Sequence, residues 1–184
     1  MAVLKVYEYP EEVLTTKAEK VTVFDDELKQ FVEDMHETMI AANGIGLAAN
    51  QVGELRQVLT IMIPFADNKY EEGEEPEKKE SWHNKKFTFI NREIIKRCGK
   101  IRYQEGCLSF PELFGYVDRS AEIVVRSHDV NGEEFEIEAN GLFSICLQHE
   151  IDHLHGIVFV NRMSKGVANR IKDEMVSRHD KAKA

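Results

Sequence analysis

The stretch LFSICLQHEIDHLHG, residues 142–156, limits what this chain can fold into more than any other segment. Leu142, Ile145, Ile151 and Leu154 recur at helical spacing and offer apolar surface for burial. Asn140 can cap such a helix and Gly156 can stop it. His149 and His153, four residues apart, share one face. Both imidazoles can reach a single ion at ~2.0–2.1 Å without distorting the helix. Glu150 is displaced by ~100° around the axis. From there it reaches a water on the ion rather than the ion itself, which is the logic of H-E-x-x-H. A helix of this kind is expected at the centre of the fold, with the sheets packed around it.

An open catalytic site needs a third protein ligand. The candidates are Cys146, His155, Cys107 and an unassigned carboxylate. Cys146 precedes His153 by seven residues, ~10.5 Å along a helix axis, too far for one ion that also binds His149. It reads better as a small buried hydrophobe behind the site. His155 lies two residues from His153 and points elsewhere. Cys107 remains, in EGCLSFP, residues 105–111. Gly106 gives backbone freedom and Pro111 stiffens the exit, so a loop there can bring a thiolate against the helix. Beside a two-histidine face we favour Cys107 as the ligand; Cys98 has no such context.

The rest of the chain supplies the frame. With 184 residues, 42% of them hydrophobic, it is long enough to bury a sizeable core in one domain. The net charge of −9 argues against a general DNA or RNA binder, which needs clustered Lys and Arg. No apolar run approaches the ~18 residues that span a bilayer, and the start lacks a secretory pattern. The expected location is therefore the cytosol. Three sparse cysteines do not make a disulfide framework.

Leu28, Phe31, Val32, Met35, Met39 and Ala42 follow the 3.6-residue period. They predict a helix from about Asp25 to Ala42, capped by Asp25 or Asp26 and ended at Asn43-Gly44. His36 falls off that stripe and is expected in solvent. RQVLTIMIPF, residues 56–65, reads as a buried strand. Residues 67–86, including Trp82 and His83, are charged and broken by Gly73 and Pro76, and read as a surface insertion. Residues 87–111 give one or two strands leading into a loop. AEIVVRSHDV and EEFEIEAN flank Asn131-Gly132, a hairpin signal. KGVANRIKDEMVSRHDKAKA closes the chain as a helix. This order predicts an α+β fold with antiparallel or mixed sheets around the central motif helix, plus a C-terminal helix, in a single domain over 1–184.

Three stretches stand in order: GIGLAANQVG (44–53), EGCLSFP (105–111) and QHEIDH (148–153). Together they resemble the signature motifs of the peptide deformylases. The resemblance implies a metallo-amidase that removes the formyl group from N-formylmethionyl nascent peptides in the bacterial cytoplasm, near the ribosome's exit tunnel. Carried onto matching positions, it implies Cys107, His149 and His153 as ligands and Glu150 as the acid/base. It further implies Gln51 and the Leu108 N–H as oxyanion donors. Gly44, Ile45, Gly46, Glu105, Gly106, Leu142, Ile145 and Cys146 would contact substrate or support the methionine pocket. The implied native ion is Fe²⁺, with Zn²⁺, Ni²⁺ or Co²⁺ as substitutes. The long acidic insertion and His155 depart from the compact family pattern.

The chemistry suits these residues. A divalent cation lowers the pKa of its water from 15.7 toward ~7, and a positioned carboxylate moving the proton contributes ~10²–10⁴-fold. Two other classes stand beside this reading. A zinc endopeptidase would take its third ligand outside EGCLS. A structural metal module would close its site with four protein ligands.

Overall fold

A computed structural model of the chain describes residues 2–64 and 84–183. Most of the charged insertion, with Trp82 and His83, lies outside the described residues.

The first helix, α1 (Asp26–Ala41), begins where the Asp25 carboxylate accepts the Leu28 N–H at 2.9 Å. Asp26 and Glu27 in its first turn meet the positive end of the helix dipole. The helix ends on Asn43 at φ 54°, with Gly44 N–H bonded back to the Met39 carbonyl. Leu28, Val32, Met35 and Met39 face inward, as their spacing predicts. His36 corrects the reading of a solvated side chain. It is 2% exposed, with Nε2 3.0 Å from the Thr88 hydroxyl. It sits one position beyond Met35, and the apolar stripe is simply wider than the aliphatic residues alone indicate.

β1 (Gly46–Ala48), β2 (Val58–Ile61), β3 (Phe87–Cys98), β6 (Glu122–His128) and β7 (Glu134–Asn140) form one antiparallel sheet in the order β1-β2-β3-β6-β7. β4 (Ile101–Cys107) and β5 (Phe110–Arg119) form a separate two-stranded hairpin. The hairpin corrects the expectation of a loop around Cys107. Pro111, read from the sequence as stiffening the exit of a loop, lies within β5, as does Gly115. At Gly115 the end of the Met163 side chain packs where a Cβ would stand. In the β6–β7 turn, Gly132 donates to the Asp129 carbonyl and takes φ 82°. The loop therefore runs through three residues, Val130 to Gly132, rather than through Asn131-Gly132 alone.

α2 (Gly141–Leu154) is the central helix, and every residue from Phe143 to Leu154 is buried. Asn140 holds the N-cap position without a side-chain cap bond, because it still pairs with Glu122 as the last residue of β7. The other end follows the sequence: Gly156 takes φ 71°, and the N–H of Ile157 reaches the Asp152 carbonyl. α1, the large sheet and one side of α2 enclose the main core around Leu47, Leu59, Phe89, Val125, Phe143 and Leu147. Fully burying each such side chain is worth ~1.5–3 kcal/mol. A second cluster joins Phe110 and Val117 of β5 to Val158, Phe159 and Val160, and to Ile171 and Met175 of α3 (Lys165–Lys183). The architecture is α+β. No helix among the described residues is long and apolar enough to cross a membrane.

Candidate metal centre and active site

α2 presents His149 and His153 toward the turn between β4 and β5. Their Nε2 atoms lie 3.2 Å apart, and Cys107 Sγ lies 3.2 Å from His153 Nε2. All three donor atoms fall within 4.8 Å of one another. Tetrahedral coordination at ordinary Zn–N and Zn–S lengths would separate donors by roughly 3.3–3.6 Å, so the spacing fits one small divalent cation. The chemistry of the set fits as well. His149 Nδ1 is 2.9 Å from Glu105 Oε2, which leaves Nε2 to offer its lone pair to the cluster. Burial disfavours charge on His149, but Cys107 and Glu105 beside it outweigh that and raise its pKa well above the usual value. Burial and the neighbouring His149 push His153 well below it. Of the other sequence candidates for the third ligand, Cys146 lies outside the cluster, its Sγ 3.6 Å from the Ile45 carbonyl. His155 turns away to lie 3.5 Å from Arg92.

Glu105 is held in turn by Arg119, whose Nε and Nη2 bond its two oxygens at 2.7 and 2.9 Å. Arg119 Nη1 also bonds Asp152, which Arg162 grips through Nε and Nη2. A line of alternating charge therefore runs from His149 through Glu105, Arg119 and Asp152 to Arg162. Burial alone would raise the Glu105 carboxyl, but its bonds to Arg119 and His149 hold it below the ordinary carboxylate range. Sequence reasoning missed Arg119, Asp152 and Arg162. Asp152 was in view between the histidines, but nothing in the sequence indicates that β5 brings an arginine to it.

A cavity of about 570 Å³ opens over the cluster. Cys107, His149 and Glu150 form part of its wall; Leu142, Ile145 and Cys146 continue the α2 side. Gly44, Ile45 and Gly46 line it from the first motif, and Glu105, Gly106 and Leu108 from the second. Gln51 also borders the cavity. Its Oε1 accepts the Ala48 N–H at 2.9 Å, and its Nε2 lies 3.2 Å from Ser109 Oγ and 3.6 Å from Cys107 Sγ. The Leu108 N–H has no acceptor among the described residues. The structure thus gathers every sequence-predicted site residue at this one place.

Two of the glycines answer to space. A Cβ on Gly46 would stand 2.5 Å from Glu150 Oε1 and 2.7 Å from Cys146 Sγ. One on Gly106 would meet the Phe114 ring at 2.7 Å, so that glycine serves close packing rather than the loop freedom read from sequence. Glu150 is buried, and its Oε2 has no partner among the described residues. Burial is the main cause that pushes its carboxyl up to about 7.

Comparison with known proteins accords with this geometry. The family model for polypeptide deformylase matches residues 3–169. A peptide deformylase from Chromobacterium violaceum is 43% identical over 178 residues, covering 97% of each chain. One from Syntrophobacter fumaroxidans is 42% identical, covering 89% of this chain and 88% of its own. The crystal structure of peptide deformylase from Ehrlichia chaffeensis in complex with actinonin superposes with a TM-score of 0.85 at 35% identity, covering 97% of this chain and 98% of that one. By its sequence and its fold, the chain belongs to the polypeptide deformylase family of enzymes.

Proposed function

We propose that this chain hydrolyses the N-terminal formamide of N-formylmethionyl peptides and releases formate. The observation that carries the proposal is the convergence of Cys107 Sγ and the two Nε2 atoms beneath a cavity that Glu150 and Gln51 also line. Cys107, His149 and His153 would hold one divalent cation, Fe²⁺ natively, with Zn²⁺, Ni²⁺ or Co²⁺ able to replace it. When bound, that cation supplies Lewis acidity that polarises an oxygen and acidifies water.

The chain's own residues do the rest. Glu150, poised near neutrality by burial, takes a proton from the attacking water and passes it to the leaving amine nitrogen. Gln51 Nε2–H and the Leu108 N–H donate to the oxygen that becomes negative as the formyl carbon turns tetrahedral; losing one such donor costs ~2.7–4 kcal/mol. Glu105 and Arg119 keep His149 in the tautomer that leaves Nε2 free.

Topology supports a peptide substrate. Among the described residues, β1 is the edge strand of the large sheet and β4 pairs only with β5. Residues of both strands line the cavity. An extended peptide can add between these two edges through its backbone. The apolar wall of Ile45, Leu142 and Ile145 then takes the unbranched thioether side chain, with Gly46 alongside the substrate backbone. In this reading residues 1–184 act as one catalytic domain in the bacterial cytoplasm and meet nascent chains near the ribosome's exit tunnel.

The test is formate release from a formyl-Met peptide by protein loaded anaerobically with Fe²⁺, beside a Glu150→Ala variant with the same metal content. Rapid release by the wild type and near-silence of the variant are expected. Fully loaded wild type that frees no formate, or that cleaves N-acetyl peptides equally well, overturns the proposal.

A further inference from the structure

A second cavity, of about 360 Å³, lies against a different face of α2 and shares no lining residue with the first. Its walls carry four cations, Arg97, Lys100, Arg119 and Arg162, against two acids, Asp118 and Asp152. With Glu105 behind Arg119 counted as well, three of these cations have acid partners and Arg97 is left over, in a chain whose net charge is −9. The acids are already engaged. Asp152 accepts from both Arg119 and Arg162, and Arg119 is committed further to Glu105. Asp118 pairs with Lys100 at 2.9 Å in a largely exposed contact, a kind that contributes little and exchanges readily.

Arg97 is different. It donates one bond, from Nη1 to Gln148 Oε1 at 3.1 Å, and has no carboxylate partner among the described residues. Its remaining guanidinium donors, the exchangeable Lys100 ammonium and the Nη1 of Arg162 surround one polar space. Planar guanidinium forks match the oxygens of phosphate. We propose that this cavity binds a small dianionic phosphoryl ligand, either inorganic phosphate or a phosphate monoester. The chain's negative net charge disfavours a polyphosphate backbone, which points to a small ligand rather than nucleic acid.

The test titrates metal-loaded protein with inorganic phosphate and, separately, glycerol phosphate, by calorimetry at an ionic strength held constant with chloride. Saturable 1:1 binding is expected from at least one of them, and the tighter of the two identifies the source. Arg97→Gln and Lys100→Gln should each weaken it roughly tenfold, as expected for a lost charge-assisted bond. Formate release should be unchanged in both. Phosphate held at the Cys107–His149–His153 cluster would survive both substitutions, so equal affinity in wild type and variants overturns the assignment. Absence of saturable binding overturns it as well. A single-stranded oligoribonucleotide that binds more tightly than either small ligand through Arg97 and Lys100 overturns the small-ligand reading.

Discussion

Glu105 and Glu150 are buried to the same depth, each 4% exposed, and face the same histidine pair, yet their surroundings are opposite. Glu105 accepts two bonds from Arg119 and one from His149, and its charge is stabilised. Glu150 has one oxygen with no partner and is pushed toward the neutral form. Burying a carboxylate is costly unless hydrogen bonds and opposite charge compensate. The molecule compensates one in full and leaves the other wanting. The first can only hold something still; the second can accept and return a proton. Orientation and reactivity are thus divided between two residues of one type by their neighbours alone.

The contrast can be broken at either end. The largest effect is expected at Glu150. Its replacement by Gln should lower formate release by ~10²–10⁴-fold or more while metal content is kept. Because the substitution removes an uncompensated buried charge, the melting temperature should hold or rise; a clear fall would mean that Glu150 is structurally satisfied after all. Glu105→Ala should act the other way round. It leaves the buried Arg119 with Asp152 as its one remaining acid partner among the described residues, so unfolding should become easier by ~1–3 kcal/mol, and metal affinity should drop ~10–100-fold. Equal destabilisation by the two changes, read from denaturant melts, would dissolve the distinction.

Gly46→Ala sharpens it more gently. The new methyl group lands on Glu150 Oε1 and Cys146 Sγ and leaves Glu105 untouched. Turnover should fall, with a stability loss of ~1–3 kcal/mol from overpacking and metal content unchanged.

His36 is the smallest case and the outside control. It is buried far from the cluster in sequence and held through Thr88. Burial, assisted by the positive Lys86, lowers its pKa to about 4. The unfolded chain therefore binds the proton more readily between about pH 6.5 and 4. Stability should be intact above that window and decline as pH falls through it, by at most ~1.4 kcal/mol per pH unit. The slope should flatten in His36→Gln; an unchanged slope would assign it to other groups.

Legibility in the sequence followed the range of the interaction. His149 and His153 announce themselves because one helical turn brings them together, and Glu150 because it is their neighbour. The ends of α1 and α2 were readable from Asp25, Asn43-Gly44 and Gly156, since caps are local. Cys107 was reachable by elimination, but its setting was misread. The strand that follows it contains Pro111 and Gly115, whose tolerance depends on hairpin position and on Met163 packing from afar. His36 was misplaced because its partner, Thr88, lies 52 residues away.

The sequence by itself determined the ligand types, the helix that aligns the two imidazoles and the family to which the three motifs point. These rest on bonds and spacings within a few residues. Only the tertiary structure decided that Arg119 would clamp Glu105 and that no donor would reach Glu150 Oε2. It alone decided that residues of β1 and β4 would line one cavity with the cluster, and that Arg97 and Lys100 would border a second cavity beside Gln148. Each of these depends on which residues, distant in the chain, share one small volume once water is excluded, and no local spacing encodes that.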